Sequence, residues 1–163
     1  INLAFDIMWH RSLLAQGIRV RIIRLIGHVR FWTGSDWTSD EPAILDTGNP
    51  VSLLPSSLCS LRSPTTSSYG QGIEAEILSN DISLRGLAPQ AGAIVTGRLA
   101  EIVVSFRDGQ NISPPLIKRA YLLNTDRVPL IFGFEYVLTE CLLFSDFPDD
   151  IAYLEFAHDF NSQ

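Results

Sequence analysis

Asp46 has the sequence surroundings that chemistry asks of a carboxylate. Ala43-Ile44-Leu45 is a short apolar run that reads as a buried strand, and it hands the chain to Asp46-Thr47-Gly48. Asn49-Pro50 then lead into a second apolar strand, Val51-Ser52-Leu53-Leu54, which Pro55 stops. A strand that delivers an acid to a tight turn fixes where the acid sits. Thr47 can hydrogen-bond locally, and Gly48 lets the backbone pass close beside the carboxylate. A carboxylate held this way can act as general base or general acid on a water molecule. The plainer reading is an Asx-turn, in which Asp46 caps a loop and does nothing more. An Asp-Thr/Ser-Gly tripeptide arises by chance in roughly 3–6% of chains this long. The tripeptide therefore needs support from its context.

The other reactive side chains form no constellation. Cys59 and Cys141 stand alone, outside any C-x-x-C or Cys/His grouping, so neither a disulfide framework nor a zinc site is expected. His10, His28 and His158 are scattered without metal-ligand spacing. No metal and no cofactor is expected.

Bulk composition narrows the class further. The 163 residues suit one domain, 1–163, with its core over about 18–156. Apolar residues make up 46% of the chain, enough for a substantial core. The net charge of -6 argues against a nucleic-acid partner, because phosphate binding calls for surplus Lys and Arg. No apolar run reaches the ~20 residues that span a bilayer, so no membrane segment is expected. No apolar signal-type segment follows the arginines near the start, and with few cysteines a cytoplasmic location is expected.

The elements that must position Asp46 are β by period. Ile18-Arg19-Val20-Arg21-Ile22 alternates, runs on through Ile26, and resumes at Val29-Arg30-Phe31. Residues 32–41 are turn formers and read as a hairpin loop. Pro55-Ser56-Ser57-Leu58-Cys59 could open a short helix, and 63–72 is a loop by composition. Ile73–Leu78 and Ile82–Leu87 read as strands. After a tip at 88–92 the chain returns through Ala93–Val95 and Leu99–Phe106, which makes a long hairpin. Leu116–Leu123 and Ala152–Phe156 are further strands. One helix is expected, over Phe134–Phe144, where Phe134, Val137, Leu138, Cys141 and Leu142 recur at three and four.

With these elements in order, the chain resembles the retropepsins, the retroviral-type aspartic peptidases, and their cellular or bacterial members more than the viral ones. That family places an apolar pair before Asp-Thr-Gly, as Ile44-Leu45 here, and a strand after it. Downstream it carries two apolar residues and a glycine, here Ile131-Phe132-Gly133, packed beneath the catalytic loop. Between them lies a flap hairpin, which corresponds to the one with its tip near Gly86 to Gly92. The resemblance runs from about Val20 to Leu143. It departs at Asn49-Pro50, where the family has a small residue after the glycine, and at Ala88-Pro89-Gln90-Ala91, which is not a glycine-rich tip.

The resemblance implies a mostly β fold: a closed β-barrel of the acid-protease half-lobe type, with a flap and one short C-terminal helix. It implies an aspartic endopeptidase with Asp46 as the catalytic carboxylate. Thr47 and Gly48 would support the catalytic loop, and Ile131, Phe132 and Gly133 would lie under it. Gly86, Leu87 and Ala88 would contact substrate from the flap. Such peptidases use two carboxylates that share one proton, since like charges so close do not both ionise. This chain has a single Asp-Thr-Gly. The second Asp46 must then come from a twin subunit about a two-fold axis, across which Thr47 would hydrogen-bond. A homodimer acting on an extended peptide is expected, with Leu3–Trp9 and Tyr153–Phe156 as candidate interface strands. The alternative is a dimerising or peptide-binding module of the same fold with little or no catalysis.

Overall fold

The computed structural model describes residues 1–59, 72–85 and 94–156. The chain runs through β1 (Ala4–Trp9), a single-turn helix α1 (Arg11–Leu14), β2 (Arg21–Phe31), β3 (Glu41–Leu45), β4 (Leu53–Leu54) and β5 (Ala75–Ile77). It continues through β6 (Ile82–Arg85), β7 (Ile94–Arg107), β8 (Leu116–Leu123), β9 (Ile131–Phe132), β10 (Cys141–Asp146) and β11 (Ile151–Phe156). The fold is thus mostly β with almost no helix.

Six strands close a hydrogen-bonded ring in the order β2-β3-β9-β4-β8-β7, with β7 pairing back to β2. The ring is mixed: β3–β9 and β4–β8 are parallel, and the other neighbours are antiparallel. Within the ring each strand has a neighbour on both sides. β7 is the hub, since it also carries β5 and β6. Its run Ile94–Arg107 is one unbroken strand where the sequence suggested two pieces. Gly97 spans the break, because a Cβ there would meet the Leu122 carbonyl oxygen at 3.0 Å.

Alternating side chains of the ring strands set the core. Val29 and Phe31 of β2, Ala43 and Leu45 of β3, and Val104 and Phe106 of β7 all point inward and are buried. Phe132 of β9 is fully buried between Phe31 and Phe106, with ring centroids 6.5 and 5.1 Å away. Burying each such ring contributes on the order of 2–3 kcal/mol. The floor of the Asp46 loop is therefore among the best-packed parts of the molecule.

The helix expected over Phe134–Phe144 does not form. Phe134 to Val137 make turns, Leu138–Glu140 form one 3-10 turn, and Cys141 onward is strand β10. The three-and-four spacing misleads because only part of it is buried: Val137 and Leu138 are core, while Phe134 and Leu142 are exposed. The backbone is engaged elsewhere. Phe134 N–H donates to Asn49 O and Glu135 N–H to Pro50 O, and Tyr136 sits at φ 62°, outside right-handed helix. From Cys141 the chain pairs with β11, with Leu143 opposite Leu154 and Phe144 opposite Tyr153. Pro55–Cys59 likewise makes two overlapping turns, and no helix.

The two candidate interface segments fall on β1 and β11. β1 pairs with β2, with Ala4 opposite Ile26 and Trp9 opposite Arg21, and β11 pairs with β10. No helix among the described residues is long and apolar enough to cross a membrane.

Candidate functional site

Asp46 follows the last residue of β3, half-buried at the head of the loop. β3 lies parallel to β9, with Ile44 beside Ile131 and Leu45 beside Phe132. Ile44 N–H donates to Leu130 O, and Asp46 N–H donates to Phe132 O, each at 3.0 Å. Ring strand and core strand therefore fix the position of the Asp46 backbone. The loop then turns back on itself, as Asn49 N–H donates to the Asp46 carbonyl at 3.2 Å.

The carboxylate has one engaged oxygen. Gly48 N–H donates to Asp46 Oδ1 at 2.9 Å. This is the bond an Asx-turn would make, and it also orients the group. Among the described residues the carboxylate accepts no other hydrogen bond, so Oδ2 is open to water or to a second acid. A Cβ on Gly48 would stand 3.2 Å from Oδ1, tight against the oxygen it serves. Thr47 is exposed.

Beneath the loop, Gly133 passes through a gap that admits no side chain. A Cβ there would lie 2.3 Å from Val51 O and 2.7 Å from Asn49 O. Its N–H donates to Ser52 Oγ at 3.1 Å. The next two amides hold the carbonyls of Asn49 and Pro50, at 2.8 and 3.1 Å. Asn49 adds its own brace, with Oδ1 accepting from Val51 N–H at 3.3 Å. Asp46-Thr47-Gly48 and Ile131-Phe132-Gly133, 85 positions apart between their aspartate and first isoleucine, thus meet in one knot of backbone.

Two cavities meet at this knot. One, of about 590 Å³, runs along Ile22–Leu25 of β2 and includes Leu53, Val128 and Ile131. The other, of about 520 Å³, lies against Val51, Leu84, Arg85 and Tyr121. Asp46 and Asn49 line both, and among the described residues Asp46 is the one carboxylate in either lining. The remaining polar side chains include one arginine on each side, Arg24 and Arg85. The site is a carboxylate at the join of two cavities whose walls mix polar and apolar groups.

The proposed flap contacts Gly86, Leu87 and Ala88 lie outside the described residues. The strands that flank them, β6 and β7, are paired from Arg85 opposite Ile94 to Ile82 opposite Gly97. The sequence reading missed Ser52 and Asn49 as supports. Ser52 left no signal beyond a hydroxyl inside an apolar strand, yet it is buried and holds the Gly133 amide.

Other chemistries find less support. Burial pushes the Cys59 thiol up to about 12 and the Cys141 thiol up to about 11, so neither is a ready nucleophile. Among the described residues no three His, Cys, Asp or Glu side chains gather as metal ligands would. His10 caps α1, with Nδ1 accepting from Leu13 N–H at 3.3 Å. Compared with known proteins, this chain matches no family model, no curated protein and no solved structure.

Proposed function

We propose that this chain is one subunit of a homodimeric aspartic endopeptidase of the retropepsin type. The observation that carries the reading is the place of Asp46: among the described residues it is the one carboxylate in two cavities that meet at it, on a loop pinned by Gly133. In this reading the ring of six strands is the closed barrel of the half-lobe. Two Asp46 carboxyls face each other and share a proton, as in the aspartic protease dyads. The ionised member takes a proton from water, whose oxygen attacks the scissile carbonyl carbon. The protonated member polarises the carbonyl oxygen, and a proton then passes to the leaving amine as the C–N bond breaks. Neither metal nor cofactor takes part. Gly48 N–H keeps one carboxylate oxygen oriented, Thr47 ties the two loops across the axis, and Gly86 to Ala88 close over the peptide.

The test is cleavage of a peptide library by the purified protein and by Asp46→Asn. The reading expects cleavage by the parent, loss of at least about a thousandfold in the variant, and a rate per chain that falls on dilution as the dimer dissociates. Equal cleavage by Asp46→Asn, or a strictly monomeric active protein, overturns it.

A further inference from the structure

The two cavities that meet at Asp46 differ in charge from the chain around them. The chain as a whole has a net charge of -6. Among the described residues, the two linings hold one acid, Asp46, and two arginines: half-buried Arg24 in one and exposed Arg85 in the other. One arginine thus stands on each side of the carboxylate. The ion pairs among the described residues engage Arg98, Arg107, Lys118 and Arg119, and neither Arg24 nor Arg85. Asp6 lies opposite Arg24 where β1 pairs with β2, yet the two form no ion pair. Asn49 lines both cavities and adds a third donor. Its Oδ1 accepts from Val51 N–H at 3.3 Å. The other end of that amide, Nδ2, is a donor only. Two cations and an amide donor therefore flank a site that holds a single acid.

We infer that this site selects peptides with Asp or Glu near the bond that is cut, and that Arg24 and Arg85 are the specificity-determining residues that receive them. The cleavage step rests on the peptidase reading, whereas the selectivity rests on the cavities. Guanidinium–carboxylate hydrogen bonds are charge-assisted, and their fork geometry makes them stronger than neutral ones. Alternate side chains of an extended peptide point to one face. A peptide laid across Asp46 therefore brings side chains to both cavities. An acidic peptide pairs the two guanidiniums inside partly enclosed walls, and a neutral one leaves them to water. Specificity is that difference. The sign holds in the dimer, where the two Asp46 carboxyls share a proton and keep one negative charge against four arginines. A basic peptide meets the same arginines as repulsion. Two-fold symmetry gives each arginine a twin, so each preference recurs at positions placed symmetrically about the cut bond. Asn49 Nδ2 offers a donor to a substrate oxygen at the join.

The test uses the full chain, Arg24→Gln, Arg24→Glu and Arg85→Glu, with peptides that carry Glu, Gln or Lys at successive positions on either side of one cleaved bond. Ratios of kcat/KM between peptides are read, so a general loss of activity cancels. Binding of the same peptides is followed by fluorescence anisotropy. The parent should prefer the best Glu peptide over its Gln counterpart by about tenfold, and the ratio should shrink as salt rises. Arg24→Gln should remove the preference at one symmetric pair of positions, and Arg24→Glu should invert it there in favour of Lys. Arg85→Glu should do the same at a different pair. Equal urea midpoints show that the variants fold, and Arg24→Gln keeps a long polar side chain where Arg24→Glu does not fold. A parent that cuts Glu and Gln peptides equally at every position overturns the inference and keeps the peptidase. A preference that survives both charge reversals also overturns it. A parent that cuts nothing, yet binds Glu peptides more tightly through Arg24 and Arg85, keeps the selectivity and removes the peptidase. A parent that neither cuts nor binds them overturns both.

Discussion

A Cβ on Gly133 would lie 2.3 Å from the carbonyl oxygen of Val51, closer than any real contact of that kind. The chain after β9 can therefore pass under the Asp46 loop only as glycine. Gly133→Ala must push the loop or β9 away, and overpacking of this kind costs about 1–3 kcal/mol. On the proposed peptidase reading, cleavage should fall further than stability does, because the loop carries Asp46. The check is a urea melt beside a peptide assay. Gly109→Ala is the control, since a Cβ there meets nothing within 4 Å. An alanine at 133 that leaves both readouts unchanged would remove the close approach from the argument.

Ser52 is the hydroxyl that answers this glycine. It is buried, its Oγ accepts from Gly133 N–H, and its carbonyl accepts from Tyr121 N–H. Ser52→Ala leaves the Gly133 amide without an acceptor in a dry place, at a cost of about 1–3 kcal/mol. Ser52→Thr keeps the hydroxyl and, on the proposed peptidase reading, should recover part of the cleavage rate if its methyl is accommodated. Comparing turnover with substrate affinity in the two variants separates a shifted loop from a merely less stable protein. The loop account expects Ser52→Ala to lower turnover more than it weakens binding.

How far the site could be read beforehand follows from such residues. Asp46, Thr47 and Gly48 were legible because a motif and two flanking apolar strands sit together in the sequence. Ile131-Phe132-Gly133 was legible through resemblance, but the reason for its glycine was not, since the Val51 carbonyl it avoids is 82 positions away. Ser52 was invisible, because one serine in an apolar strand looks the same whether or not it has a partner. The strands at β2, β3 and β8 are legible, because alternation in β2 and short apolar runs in β3 and β8 are local properties, whereas β7 reads as two pieces. Strand period does not reveal the ring, because closure depends on β2 meeting β7; a closed sheet is expected only through the resemblance. The helix at 134–144 was misread for a related reason. Three-and-four spacing records which residues are apolar, whereas the backbone there is set by Asn49, Pro50 and β11.

Lys118 gives a stability prediction away from the site. Its side chain is almost wholly buried on β8, and its ammonium is paired with the half-exposed carboxylate of Glu140. Removing Glu140 strands a buried cation, while removing the lysine leaves only an exposed acid. Glu140→Gln should therefore destabilise more than Lys118→Met, by less than the ~3 kcal/mol of a fully buried pair because Glu140 meets solvent. Urea unfolding of the two single variants and the double variant checks the order. Equal losses would show that the methionine fails to fill the space left by lysine.

Asp108 gives the fold its clearest acid dependence. Its Oδ2 accepts from the Asn2 backbone N–H at 2.7 Å, and Oδ1 accepts from the amides of Gln110 and Asn111. The Asn2 amide first, and Asn111 after it, hold the Asp108 carboxyl well below the usual carboxylate range. A group whose folded value is lowered stabilises the protein above its unfolded value, near ~3.9. That contribution is lost as pH falls below ~3.9 toward the lower folded value. The group is exposed and screened, so the effect is modest. Its location is informative, because Asn2 leads directly into β1. Acid should loosen the N-terminal segment before the ring. Amide exchange in residues 3–9 of the parent should rise as pH is lowered from 5 to 2, after correction for intrinsic exchange, while β8 stays protected. Asp108→Asn should show the looser state already at neutral pH, with little further change in acid. If β1 and β8 lose protection together, the Asn2–Asp108 tie is not what holds β1 to the ring.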